Sequence, residues 1–270
     1  MNYEHFKYSV ENKIAHVSIN RPDKVNALNE AAWKELQAIF EQIHTDPEVR
    51  VAVLSGEGKL FCAGIDLQML MSVKNVENMS CAGRRSEQIL KFIKELQAPI
   101  NAIENCSKPV LAAIHGACIG GGVDIVAACD MRYCTEDAYF TIKEIDMGMV
   151  ADLGTLQRLP KFVKPSSVAE WAYTGRKVHA AEAKESGLVN AFYDSKEELL
   201  AQVFATAAII ASKSPLSIRG TKEVLRHTRD HSVQDGLHHM AVWNSAMLLS
   251  EDLTAAFMAA ISKQQPDFKD

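Results

Sequence analysis

The sequence predicts an α/β fold built on a largely parallel sheet, followed by a helical carboxy-terminal region. Strand, loop and helix patterns recur up to about residue 150 without a long linker, and glycine-bearing turns close two of the strands. From residue 195 four helical patterns then follow one another with no strand signal between them.

Residues 6–10 and 14–19 alternate apolar and polar side chains as half-buried strands do, with Glu11, Asn12 and Lys13 as a polar hairpin turn between them. Residues 20–24, which include Pro22, break the sheet. A helical stripe follows at Leu28, Ala32, Trp33, Leu36, Ile39, Phe40 and Ile43 and closes at Thr45, Asp46 and Pro47. Residues 49–54 read as a short buried strand. After turn residues at 55–58, the segment 60–67 is a glycine-containing stretch at a strand end. Residues 69–85 are polar, Met-rich and irregular, the pattern of a mobile loop. A long helix is expected over 86–105 and a strand over 109–114 leading into Gly120, Gly121 and Gly122. Residues 124–129 read as a helix and 131–134 as a strand. The tail is expected as helices at 195–213, 215–228, 232–249 and 251–263. Its apolar Leu237, Met240, Trp243 and Met247 either meet a neighbouring subunit or fold back over the core. The expected division is a core over residues 1–200 and a helical region over 201–270.

A 270-residue chain with 47% hydrophobic and 23% charged residues has ordinary globular composition and is long enough to bury a site. Its net charge of −5 leaves no basic surplus, so nucleic acid is not expected as a partner. No apolar run approaches the ~20 residues of a membrane helix, so no membrane partner is expected either. The amino terminus lacks a secretory pattern and the last residues are not a Ser-Lys-Leu address, which leads to the expectation of a cytoplasmic protein. The six cysteines lack Cys-x-x-Cys spacing and read as reduced, buried thiols. The nine histidines show no ligand spacing, so no metal is expected.

Three successive glycines followed by Val123 and Asp124 let backbone N–H groups approach a ligand uncovered by side chains. Taken alone, the triplet serves equally as turn punctuation. Ala63 and Gly64 offer a second such loop, and two converging N–H donors are what an oxyanion hole requires. A Walker loop and a dinucleotide fingerprint are both absent. Asp152 reads on its own as a helix N-cap, and Glu144 and Asp146 as solvent-facing strand residues.

Asn20, Arg21 and Pro22 with Asn26, Ala27 and Leu28; Phe61 through Leu67; His115 and Gly116 with the triple glycine; Tyr173 through Arg176; Ala181 through Ala183; and Gly187 through Val189 occur in an order and spacing that resemble the enoyl-CoA hydratase/isomerase (crotonase) family. The resemblance covers residues 6–262 or so. It implies a spiral of ββα units, a carboxy-terminal helical region that assembles trimers or hexamers, and acyl-CoA thioester substrates. Coenzyme A would be part of the substrate, with no separate cofactor. It also implies an oxyanion hole at the N–H groups of Ile65 and Gly121, with Ala63, Gly64, Ile65, Asp66, Leu67 and Gly121 binding substrate. Family hydratases carry Glu where this chain has Asp124, and a second Glu at the position of Glu144. Here Asp124, Glu144 and Asp152 resemble the acid trio of the branch that moves a 3,5-diene into conjugation as a 2,4-diene. In that reading Glu144 serves C2, Asp152 serves C6 and Asp124 supports them. The alternatives are a hydratase using Glu144 and Asp124, or a non-catalytic binding member. The latter is weakened by the single base, Lys34, on the acidic 28–43 helix. Lys24 could approach CoA phosphates but reads more simply as a turn lysine.

Overall fold

The computed structural model describes residues 3–72 and 78–270. The hairpin of β1 (Phe6–Glu11) and β2 (Ile14–Ile19) runs into α1 (Glu30–Thr45) and the all-buried β3 (Val51–Gly56). After α2 (Leu67–Ser72) comes the long α3 (Ala82–Asn105), then β4 (Val110–Ile114), β5 (Ala117–Ile119) and α4 (Gly121–Ala128). Strands β6 (Met131–Thr135) and β7 (Tyr139–Thr141) precede a 3-10 turn at Glu144–Met147, α5 (Thr155–Arg158) and α6 (Pro165–Thr174). Next come β8 (Val178–His179), α7 (Ala180–Glu185), β9 (Ala191–Tyr193) and α8 (Lys196–Ala211). The chain ends in α9 (Pro215–Thr228), α10 (Val233–Met247) and α11 (Glu251–Ser262).

The main sheet has the order β1-β2-β3-β4-β6-β9, antiparallel only at the first pair. A second sheet, β5-β7-β8, pairs β5 with β7 in parallel and β7 with β8 antiparallel. This second sheet was not legible in the sequence, because strands of two or three residues are too short to show a period. One face of the main sheet packs on α1, α3 and α4 through Leu36, Phe40, Ile100 and Val123. The other face meets α8 through Leu199, Val203 and Ala207. Residue 200, the expected division, therefore falls inside a helix that covers the sheet.

Capping explains where the helices begin. Asn29 accepts from the Ala32 N–H, and Ser195, Ser214, Ser232 and Ser250 each accept from the N–H three residues on. Within the segment expected to be mobile, α2 and the start of α3 are helical, and residues 73–77 lie outside the described residues. Lys222 ties α9 to the core by bonding Asp130 (2.7 Å) and the Lys108 carbonyl (2.9 Å). In α10, α11 and the loop between them Leu237, Leu249, Phe257 and Ile261 stand 60–94% exposed. All six cysteines are free and only Cys81 is exposed. Among the described residues no single helix is long and apolar enough to cross a membrane.

Candidate active site

The site grows from two loops stitched together by backbone. Val25 and Asn26 take left-handed conformations, which fold the Asn26 side chain into the interior. There its Oδ1 accepts from the Arg21 N–H (2.9 Å), while Nδ2 donates to the carbonyls of Glu57 (2.8 Å) and Leu60 (2.9 Å). This knot holds the 57–61 loop against the chain that enters α1. Leu28 then pairs with Ile65, its N–H donating to the Gly64 carbonyl (2.8 Å) while the Asp66 N–H donates to its own (2.9 Å). On the other side Cys62 pairs with Cys118, so residues 62–65 lie between β5 and Leu28.

That placement brings Ile65 beside the triple glycine. A Cβ on Gly121 would stand 3.6 Å from the Ile65 nitrogen, and one on Gly64 would stand 3.2 Å from the Gly121 nitrogen. Helix α4 begins at Gly121 rather than at Asp124, so the Gly121 N–H belongs to the unsatisfied first turn of a helix. Neither the Ile65 nor the Gly121 N–H donates a hydrogen bond among the described residues. Two free, adjacent donors on a rigid frame suit a developing oxyanion. The rings of Trp33 pack against Gly121, 3.2 Å from where its Cβ would be.

Three acids come within electrostatic reach of one another. Asp124, 1% exposed, sits in the first turn of α4 with Oδ1 accepting from Thr155 N (2.7 Å) and Thr155 Oγ1 (2.7 Å). Its Oδ2 is buried with no partner among the described residues. Burial drives the Asp124 carboxyl up to about 6 against the pull of the Thr155 bonds, and the charge of Asp152 adds to the rise. Glu144, half-buried at the start of the 3-10 turn, has a buried, unpartnered Oε2. Burial first, and then the charge of Asp124, push Glu144 up to about 7. The partial burial of Asp152 raises its carboxyl too. The sequence reading put Asp152 in apolar surroundings. Ala151 and Leu153 are indeed buried, but Asp152 between them is exposed, on the wall of a polar cavity of about 500 Å³ with Gln97, Asn101 and Arg158.

A second cavity of about 910 Å³ opens between α1 and α3, lined by the apolar Trp33, Met69, Leu90, Phe92, Leu96 and Pro99 and by charged side chains that include Lys34, Glu87, Lys91 and Glu95. It runs from the residue that backs Gly121, and its apolar side chains give a hydrocarbon chain one wall to lie on.

The other expected residues fall as follows. The Ala63 N–H donates to the Val25 carbonyl (3.1 Å), fixing the loop. Asp66 faces Arg21 (3.4 Å) and accepts from the Gln68 N–H (3.0 Å), and so belongs to the loop rather than to the acid group. Leu67 opens α2 and is 60% exposed. Asp146 is exposed and pairs with Lys143, and Lys24 is exposed in its turn. Sequence reasoning assigned no role to Thr155, Asn26 or Trp33. Only Asn26 carried a signal, as part of the motif around residues 20–28. The described residues gather one group able to hold a metal, Glu4, His5 and Glu35, but the Glu35 oxygens already accept from the Glu4 and His5 N–H groups.

Residues 9–270 match the family model described as Enoyl-CoA hydratase/isomerase. The chain belongs to that family. Over 266 residues it is 48% identical to a peroxisomal Delta(3,5)-Delta(2,4)-dienoyl-CoA isomerase of Arabidopsis thaliana, spanning 98% of this chain and 96% of the relative. It is 45% identical over 258 residues to the mitochondrial Delta(3,5)-Delta(2,4)-dienoyl-CoA isomerase of Homo sapiens, covering 95% of this chain and 79% of that one. A crystal structure of enoyl-CoA hydratase from Bacillus anthracis superposes with a TM-score of 0.89 at 29% identity, over 98% of this chain and 99% of that chain. The expected crotonase-like ββα spiral is thus the fold of this family member. The expectation of a cytoplasmic protein is overturned, because these isomerase relatives are peroxisomal or mitochondrial. That expectation rested on two address patterns not being seen, and the lack of a particular receptor-read address does not name a compartment.

Proposed function

We propose that the protein is a dienoyl-CoA isomerase that converts a 3,5-dienoyl-CoA to the conjugated 2,4-dienoyl-CoA. The observation that carries this reading is near-full-length likeness to proteins named for that reaction, in a chain that has two free N–H donors and three carboxyls within electrostatic reach of one another, Glu144 among them lying beside Gly120. The thioester oxygen sits between the N–H groups of Ile65 and Gly121. Glu144 takes a proton from C2, the electron pair moves through the diene, and negative charge collects on that oxygen as a dienolate. Such donors typically lower a barrier of this kind by about 3 kcal/mol. Asp152 then delivers a proton to C6, and the charge returns to form the 2,3 and 4,5 double bonds. Two carboxyls divide the transfer because C2 and C6 are too far apart for one short side chain.

The assignment of Glu144 to C2 is supported by its contact with Gly120, the neighbour of the Gly121 donor. That of Asp152 to C6 is supported by its being the other acid whose charge reaches Glu144 without being tied down by Thr155 as Asp124 is. The partial burial that raises the Asp152 carboxyl favours its protonated form. Coenzyme A enters as part of the substrate. The outward apolar residues of α10 and α11 form the interface of a homotrimer or of a hexamer made from two trimers.

Incubation with a 3,5-dienoyl-CoA should produce the ultraviolet absorbance of a conjugated 2,4-dienoyl thioester. Hydration of a 2-enoyl-CoA without that signal would replace this reading with a hydratase using Glu144 and Asp124.

A further inference from the structure

Of the three acids, Asp124 is the one that accepts a hydrogen bond from another side chain among the described residues. Thr155 donates to its Oδ1 twice, from the backbone and from the hydroxyl, both at 2.7 Å. The turn that presents Thr155 is itself pinned. Gly154 has φ +126, and a Cβ there would collide with the Arg158 guanidinium, so that guanidinium lies flush against the turn. Arg158 donates to the Leu153 carbonyl (3.2 Å) and is anchored on α3 by Glu104 (2.7 Å) and Asn101 (2.8 Å). Thr155 is therefore fixed from the α3 side and from α4, three residues after Asp152.

We propose that Thr155 is a positioning residue of the isomerase reaction: its double donation keeps the negative charge of the Asp124–Glu144 pair on Asp124 and so governs when Glu144 becomes an available base. The inference rests on the isomerase reading given above. The groups that face Asp124 are Glu144 on the 3-10 turn, Asp152 before α5, Arg158 on α5 and the buried Cys118 thiol on β5. Arg158, the cation among them, is largely neutralised by Glu104. Hydrogen bonding from Thr155 is then the principal influence favouring an ionised Asp124 at a site where burial opposes it. An ionised Asp124 in turn holds the Glu144 proton on. The two carboxyls titrate as a coupled pair, so a change at one is read at the other.

The test is Thr155→Val, which keeps shape and backbone N–H and removes only the hydroxyl. With that bond gone, the proton moves towards Asp124, Glu144 loses its negative neighbour, and the acidic limb of kcat/KM shifts to lower pH by about half a unit or more. Thr155→Ser should restore the limb, and Thr155→Val in an Asp124→Asn background should move it no further. A limb that stays in place in Thr155→Val, or moves equally in Thr155→Ser, overturns the positioning role even if kcat falls. If Thr155→Val does not fold, Thr155→Ala is read against the same criteria. Failure of the wild-type protein to form a conjugated dienoyl product strikes the isomerase reading instead. Wild-type turnover with an unmoved limb removes only Thr155.

Discussion

Glu144 lies against Gly120 so closely that a Cβ on residue 120 would stand 3.2 Å from its Oε1. Gly120 holds φ 51° and ψ −119°, a region reserved for glycine, and its N–H donates to the Thr141 carbonyl (2.9 Å) just before the 3-10 turn that carries Glu144. The glycine run thus serves two ends: it frees the Gly121 N–H, and it leaves room for a carboxylate one residue away.

Gly120→Ala should therefore be costly on both counts. Strain at a glycine-only backbone position is of order 1–3 kcal/mol, and the crowded carboxylate must move. Thermal unfolding should occur at lower temperature, and the residual folded enzyme should lose kcat by about tenfold or more, since small misplacements of catalytic groups are expensive. Unchanged kcat would separate Glu144 from the reaction.

Asp152→Asn should lower kcat by roughly 10²–10⁴ while leaving CoA-thioester binding nearly unchanged, because it removes a proton donor and no binding contact. Isothermal titration with a saturated acyl-CoA and steady-state turnover measure the two halves. Near-normal turnover would take Asp152 out of the mechanism.

Asp124 and Glu144 bind protons more tightly folded than unfolded, rising from 3.8 to about 6 and from 4.5 to about 7. Between about pH 4 and pH 7 the native state thus holds more protons than the unfolded state, so this contribution is complete below pH 4 and lost as pH rises through 6 and 7. Asp124→Asn removes its share of that loss. The variant should gain roughly 1–3 kcal/mol of stability relative to wild type on going from pH 4.5 to pH 8, on the scale of about 1.4 kcal/mol per unit. Urea unfolding at the two pH values is the measurement, and equal differences at both would refute the linkage.

Leu249 is 94% exposed and Ile261 76% exposed, in a region where Leu237, Phe257 and Met258 also face outward. Replacing both with Asp should convert the proposed trimer or hexamer to monomer in analytical ultracentrifugation, since buried carboxylates at an apolar interface are strongly disfavoured. An unaltered sedimentation coefficient would place the subunit contacts elsewhere.

Much of the architecture was legible from residues alone. The stripe from Ala32 to Ile43, the alternation in β1 and β2, and the serines before α8 to α11 are local signals, and local hydrogen bonds and apolar periods write them into adjacent positions. The motifs around Gly64 and Gly121 and the intervals between Asp124, Glu144 and Asp152, read through the family resemblance, pointed to the candidate donors and acids. The second sheet stayed hidden because β5, β7 and β8 exist through their pairing and not through any propensity of their own. Compartment was misread as well, since it was inferred from address patterns not being seen, and such an absence names no compartment.

What the sequence by itself determined was which residue types stand ready: small residues at two strand ends, three carboxyls, and a helical tail with surplus apolar faces. Only the tertiary structure decided that Ile65 and Gly121 are neighbours, that Asp124 is held by Thr155 rather than left as a free base, and that Asp152 faces a polar cavity. Those outcomes depend on burial and on contacts between residues 31 to 56 positions apart, which no local pattern records.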